Sequence, residues 1–222
     1  MADRFIIDVV SDVICPWCFL GKRRLDAALN RLEGLDAFVR WRPYMLDPTI
    51  PPEGLDRQDY MLAKFGPERL ATIHDPLIEA GEELGVPYNF DRIARTPNTL
   101  DAHRLMRWSH TVERQHDMAE RLFMAYWSEG QDVGDRDVLA RCAGEVGINA
   151  QQIRELLDSE QDVAETKAEI QHATTIGVTG VPTFILGQSY ALVGAQPPEV
   201  LADAIGRVAK ELAEEDASEA SS

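Results

Sequence analysis

Apolar and polar positions along the chain fall into three regimes. Phe5-Ile6-Ile7-Asp8-Val9-Val10 is almost continuously apolar and rich in β-branched residues, as a buried strand requires. After the short turn Ser11-Asp12-Val13-Ile14, residues Leu25, Ala28, Leu29 and Leu32 recur at helical spacing until Gly34. This predicts a helix opening near Cys15 and stopped by glycine. Phe38-Val39-Arg40-Trp41 reads as a second strand, ended by Pro43. Strand, helix and strand make a β-α-β crossover unit.

From Leu46 to Gly177 the pattern is helical. Its opening, Asp47-Pro48-Thr49-Ile50-Pro51-Pro52-Glu53-Gly54, is extended because its prolines forbid regular pairing. Beyond it, Met118, Leu122 and Tyr126 form one row with Phe123 and Trp127 beside it; Val138, Leu139, Cys142 and Val146 form another, followed by Ile153, Leu156 and Leu157. Such rows pack helices together, and no repeat period suggests a solenoid. Strand pattern then returns. Gly180-Val181-Pro182 leads into Thr183-Phe184-Ile185-Leu186, a two-residue Gly187-Gln188 turn, and a short strand ending Leu192-Val193-Gly194. A closing helix carries Leu201, Ile205, Val208 and Leu212 on one face, and Glu214 to Ser222, acidic and Ser/Ala-rich, is expected to fray. The predicted layout is β-α-β, a helical insertion, then β-β-α. It divides the chain into a discontinuous α/β domain (1–45 and 178–215), an all-helical insertion (46–177) and a flexible acidic tail (216–222).

Composition narrows the function. The 222 residues carry 22 Lys plus Arg against 38 Asp plus Glu, a net charge of −16. No basic stripe exists to offset phosphate repulsion, so nucleic acid and anionic membrane surfaces are disfavoured as partners. No apolar run approaches the roughly 18 residues of a bilayer span. Met1-Ala2-Asp3-Arg4 and the short run interrupted by Asp8 do not make a secretory leader, so a cytoplasmic location is expected. Three cysteines, two of them close together, argue against a structural disulfide framework. Nothing in the sequence sets the oligomeric state.

Cys15-Pro16-Trp17-Cys18 is the sharpest chemical signal. Cys15 falls where the first-turn amides of a helix point and its dipole is positive, which favours a thiolate. Pro16 suits the first helical position, where a missing N–H costs nothing. Cys15 is therefore expected to be an exposed, low-pKa nucleophile and Cys18, one turn in, the more buried resolving thiol. Trp17 offers no cationic partner, so the couple should be less oxidising than a Cys-Pro-His-Cys site. The competing reading is half a zinc site, but zinc commonly takes four ligands. Only Cys142 remains, and His74, His103, His110, His116 and His172 form no close pair. No metal site is expected. The second signal is Thr179-Gly180-Val181-Pro182-Thr183. A cis Val181–Pro182 bond would turn the Val181 amide and carbonyl outward, where an extended peptide or glutathione pairs as an added strand.

These motifs resemble the DsbA-like superfamily of thioredoxin-fold proteins. Within it, Ser11-Asp12-Val13-Ile14-Cys15-Pro16-Trp17-Cys18-Phe19-Leu20-Gly21-Lys22 is similar to the FrnE-like dithiol-disulfide isomerase branch. So are Leu46-Asp47-Pro48 through Pro52-Glu53-Gly54, and Pro97-Asn98-Thr99 with Ala102-His103-Arg104. The resemblance covers nearly the whole chain apart from the tail. It implies an α/β thioredoxin-like fold, with the helical insertion between its β-α-β and β-β-α halves. It also implies Cys15 as nucleophile, Cys18 as resolving cysteine and Pro182 as the cis-proline. Pro16, Trp17, Val181 and Asn98 would contact substrate or glutathione. Related 2-hydroxychromene-2-carboxylate isomerases typically carry serine where this chain has Cys15, and no second cysteine pair follows near the C-terminus.

From the residues alone, Asn98 reads as a helix N-cap, His172 as a surface or packing histidine, and Cys142 as a small buried hydrophobe. The leading expectation is a thiol–disulfide oxidoreductase or isomerase requiring no metal or organic cofactor, with glutathione as a possible co-substrate. A glutathione-dependent isomerase of a small aromatic or polyketide compound, and a non-catalytic binding or chaperone module, are the alternatives.

Overall fold

The computed structural model describes residues 4–219. Strand β1 (Phe5–Ser11) is central and accounts for the hydrophobic opening of the chain. It pairs in parallel with β2 (Ala37–Pro43), from Phe5↔Ala37 to Ser11↔Pro43. On its other side it pairs antiparallel with β5 (Thr183–Leu186), from Ile7↔Leu186 to Val10↔Thr183. Strand β6 (Tyr190–Val193) completes the order β2-β1-β5-β6. The parallel β1–β2 pair needs a crossover, and helix α1 (Pro16–Leu29) supplies it. Leu32 lies in the turn beyond α1 rather than inside the helix.

Alternation along β1 explains both faces of the sheet. Ile7 and Val9 belong to the main core, with Phe19, Leu20, Leu25 and Ala28 of α1 and Leu201, Ile205 and Val208 of the last helix, α9 (Pro198–Glu219). On the opposite face Val10 packs with Ala173 and Val178. Asp8, the polar interruption in the strand, is buried beneath both Arg40, at 2.6 and 2.8 Å, and Arg42, at 2.7 Å. A buried carboxylate is tolerable only when so paired.

The segment between β2 and β5 is mostly helical: α2 (Arg57–Leu70), α3 (Asp75–Glu82), α4 (Leu100–Thr111), α5 (Gln115–Phe123), α6 (Arg136–Glu145), α7 (Ala150–Leu157) and α8 (Val163–Thr175). It is not wholly so. Two-residue strands β3 (Leu55–Asp56) and β4 (Arg95–Thr96) pair as a small antiparallel ribbon. Each is too short to show alternation, and the partners stand some forty residues apart in the chain, so periodicity does not reveal them. A π-helical turn, Met124–Ser128, follows α5. Phe123, Tyr126 and Trp127 join the same core as β1 and α1, and Phe19 stacks on Phe123 with centroids 5.4 Å apart.

Two further expectations are corrected. The β5–β6 loop has three residues, because Leu186 pairs with Tyr190. Gly187 and Gln188 supply the positive φ angles of 53° and 65°, and Ser189 closes the turn onto Leu186 at 3.2 Å. Helix α9 continues to Glu219 rather than giving way at Glu214. Residues 220–222 of the expected tail lie outside the described residues.

Candidate active site

Cys15 is the N-cap of α1, with extended backbone angles of −95° and 112°, and Pro16 opens the first turn. The Cys15 amide donates to the Asp12 carbonyl at 3.0 Å, while its own carbonyl receives the Cys18 amide at 3.0 Å. The Asp12 carboxylate, fully buried, accepts the Leu46 amide at 2.8 Å and lies 3.5 Å from His103 Nε2. It fixes the loop that delivers Cys15 to the chain that passes over it.

Cys15 is not the exposed nucleophile expected from the sequence. It is 4 % exposed, and the uncovered residue of the motif is Trp17, at 39 %. The reason is tertiary. The Val181 carbonyl accepts from Cys15 Sγ at 3.5 Å, and the Tyr88 hydroxyl donates to the Pro16 carbonyl at 2.6 Å. Neither contact is local in sequence. The Val181–Pro182 bond is cis, and the Val181 carbonyl is turned to the thiol. Pro182 packs directly on α1: a Cβ built on Gly21 would stand 2.8 Å from Pro182 Cγ. Gly21 thus supplies the close approach of helix and proline loop.

Cys18 is fully buried. Burial pushes its thiol well above the ordinary cysteine range, and a hydrogen bond and the charge of Cys15 push the same way; contacts from Ser11 and the Asp12 backbone only partly oppose them. Both cysteines are free thiols in this structure. Cys142, buried in α6, is held up to about 11, mainly by burial.

The remaining candidates separate from this centre. Thr99, not Asn98, is the N-cap of α4. The Asn98 side chain donates to the Ile50 carbonyl at 2.7 Å and accepts the Leu100 amide at 3.0 Å, tying the extended opening of the insertion to α4. His172 is exposed in the last turn of α8. Among the described residues no group of three or more His, Cys, Asp or Glu side chains is placed to hold a metal, and no helix is long and apolar enough to cross a membrane.

Helical spacing marks Trp127 as a packing residue, but not the wall that it builds beside the dithiol with Tyr88 and Phe90. Trp127, in the π-helical turn, donates its Nε1 proton to the Val13 carbonyl at 3.0 Å and accepts the Asn89 amide on its carbonyl at 2.7 Å. Tyr88 and Phe90 meet its ring edge-on at 6.3 and 5.7 Å. For Tyr88 and Phe90 the sequence signal is Tyr88-Asn89-Phe90, an aromatic pair within a polar, proline-led loop.

A model of the DSBA-like thioredoxin domain matches residues 6–206. The protein YwbO of Bacillus subtilis is 30 % identical over 200 residues, covering 90 % of this chain and 94 % of that protein. A probable DsbA oxidoreductase from Streptomyces coelicolor superposes with a TM-score of 0.85 at 28 % identity, covering 94 % of this chain and 91 % of that one. The cytosolic disulfide reductase DsbM of Pseudomonas aeruginosa, solved with glutathione, has a TM-score of 0.60 at 19 % identity, covering 95 % and 98 %.

Proposed function

We propose that this chain, which belongs to the DSBA-like thioredoxin domain family, is a cytosolic thiol–disulfide oxidoreductase working through Cys15 and Cys18, with glutathione as co-substrate. The observation that carries this reading is the asymmetry of the two thiols. Cys15 is the N-cap of α1, at the positive end of its dipole and with Sγ on the Val181 carbonyl, whereas Cys18 lies one turn further into the helix, fully buried and held as a thiol.

The chemistry follows from that asymmetry. The Cys15 thiolate attacks one sulfur of a substrate disulfide, the substrate S–S bond breaks, and the leaving thiolate takes up a proton. Cys18 then loses its proton and attacks Cys15 Sγ. This releases the second substrate thiol and leaves a Cys15–Cys18 disulfide, two electrons having passed to the substrate. Two glutathione molecules restore the dithiol by the same two exchanges and leave as glutathione disulfide. Trp17, as the exposed residue of the motif, and Val181, whose carbonyl already meets Sγ, are the groups a substrate touches first. No resident metal or organic group enters any step. The DsbM likeness supports glutathione and the reducing direction, and a cytosolic glutathione pool drives the pair toward the dithiol.

The test is the Cys15/Cys18 equilibrium in glutathione buffers, read by mass after alkylation. Wild-type protein is expected to interconvert between dithiol and disulfide, and Cys18→Ala protein to accumulate one glutathione on Cys15. A pair that never closes, with no adduct on the Cys18→Ala protein, overturns the reading.

A further inference from the structure

The resolving exchange sets a condition that the front of the motif does not meet. Cys18 must lose its proton before it attacks Cys15 Sγ, and it does so only while Cys15 carries the substrate. At that moment the substrate covers the front. Cys15 is only 4 % exposed even in the free protein, with Val181 and Tyr88 closed over it. Cys18 has no exposed surface of its own. Its proton therefore needs an exit on the far side.

Among the described residues, the groups that face Cys18 are Cys15 in the same helical turn, Tyr88 across the motif, and Ser11 and the Asp12 backbone at the end of β1. Neither nearby acid is placed to take the proton. The Asp12 carboxylate accepts the Leu46 amide at 2.8 Å and the Ile14 amide at 3.4 Å, and lies 3.5 Å from His103 Nε2. The Tyr88 hydroxyl donates to the Pro16 carbonyl at 2.6 Å. Burial first, and the charge of Cys15 second, push it above the ordinary tyrosine range, so it stays a phenol. The Ser11 side chain, by contrast, is hydrogen-bonded to the Cys18 thiol and favours its charged form.

Strand alternation puts Ser11 there. It follows Ile7 and Val9 on the α1 face of β1, where the strand ends just short of the first turn of α1. Ser11 also lines a cavity of about 280 Å³ between β2, α4 and α5. His103, Arg107 and Gln115 give that cavity polar walls, and His110 and Thr111 at its rim are exposed. Its volume is well above the roughly 10–15 Å³ that a single water requires, and its walls offer the polar partners a water needs. Ser11, 5 % exposed, thus touches both the buried thiol and a space that leads to solvent.

We infer that Ser11 is the proton relay of Cys18, carrying the proton of the resolving thiol to water in this cavity. The inference rests on the thiol–disulfide reading above and supplies the route by which its second exchange is completed. The Cys18 proton passes to Ser11 Oγ as the Ser11 hydroxyl proton passes to cavity water. The Cys18 thiolate then forms the S–S bond to Cys15 Sγ, the bond from Cys15 to the substrate breaks, and the substrate sulfur leaves with that electron pair. When glutathione opens the Cys15–Cys18 disulfide, Cys18 leaves as a thiolate and takes up a proton by the same route reversed.

The test mixes the reduced protein with one equivalent of dithiobis-nitrobenzoate and follows the coloured thiolate. Attack by Cys15 releases the first portion, and closure by Cys18 releases the second. Ser11→Val and Ser11→Thr are nearly isosteric and differ by a methyl against a hydroxyl. Ser11→Val is expected to keep the first release at the wild-type rate. Its second release should slow about tenfold at neutral pH, the size of one hydrogen bond to a charged group, and its pH midpoint should move upward. Ser11→Thr is expected to stay near wild type in both. Equal second phases in the two variants overturn the inference. So does a slower second phase whose pH profile has not moved, and so does slowing of both phases in Ser11→Val, which would mark a packing role. Ser11→Ala against wild type repeats the comparison if either β-branched variant fails to fold. Wild-type protein that releases only the first portion refutes the parent reading instead, and does so before any variant is compared.

Discussion

Replacing Gly21 by alanine separates two opposing effects at the base of the dithiol helix. Gly21 lies inside α1, where alanine is favoured over glycine by about 1 kcal/mol. Helix propensity alone therefore predicts a more stable protein. The added Cβ, however, meets Pro182 Cγ at 2.8 Å and Phe184 Cζ at 3.3 Å, inside the 3.4 Å at which ordinary contact begins. Both neighbours are buried ring atoms backed by the sheet, with no flexible end to swing away. Overpacking of this kind costs about 1–3 kcal/mol, so the net expectation is a loss of about 1 kcal/mol. In a chain of this length that lowers the thermal midpoint by about 2–4 °C. The displaced Pro182 carries the Val181 carbonyl with it, away from its 3.5 Å contact with Cys15 Sγ, and reaction of Cys15 with glutathione disulfide should slow. Calorimetry and stopped-flow measurement of mixed-disulfide formation read the two consequences independently. A Gly21→Ala protein with a raised midpoint and wild-type Cys15 kinetics would refute the close-packing argument for this glycine.

Other perturbations probe separate parts of the molecule. Burial opposes ionisation of Asp26, but hydrogen bonding to His116 and the charge of Lys22 outweigh it and hold the carboxyl below its ordinary range. A depressed folded pKa contributes stability above the unfolded value of about 3.9 and loses it as pH falls through the folded value. Urea unfolding of Asp26→Asn should therefore show a flatter acid limb below about pH 4 than wild type; an unchanged acid limb would contradict the pairing. Cys142, held up to about 11 by burial, should resist iodoacetamide in the folded protein at neutral pH. Cys142→Ala should cost about 1 kcal/mol in denaturant unfolding and leave glutathione exchange at Cys15 at the wild-type rate; loss of exchange would implicate a third thiol. Asp135 caps α6 by accepting the Asp137 amide at 2.7 Å and the Val138 amide at 3.3 Å, so Asp135→Ala should cost about 1 kcal/mol, readable in the same unfolding assay.

Elements whose causes lie within a few residues were legible in the chain itself. The β-branched run from Phe5 to Val10 could only be a buried strand, Pro16 suited only the opening of a helix, and Gly187-Gln188 marked a reversal by its tolerance of positive φ. From these the β-α-β and β-β-α halves and the placement of Cys15 and Cys18 one helical turn apart follow without tertiary information. What the chain alone did not contain was set by partners far along it. Cys15 loses its exposure because Val181 and Tyr88 arrive from 166 and about 70 residues away. Asn98 turns from a cap into a tie because Ile50 comes within its reach. Arg57 comes to lie over the rings of Tyr126 and Trp127 only because the start of α2 folds onto the turn that follows α5. Propensity and periodicity are short-range steric facts, and so they print on the sequence. Burial and electrostatic pairing depend on which distant surfaces meet, and those only the folded chain decides.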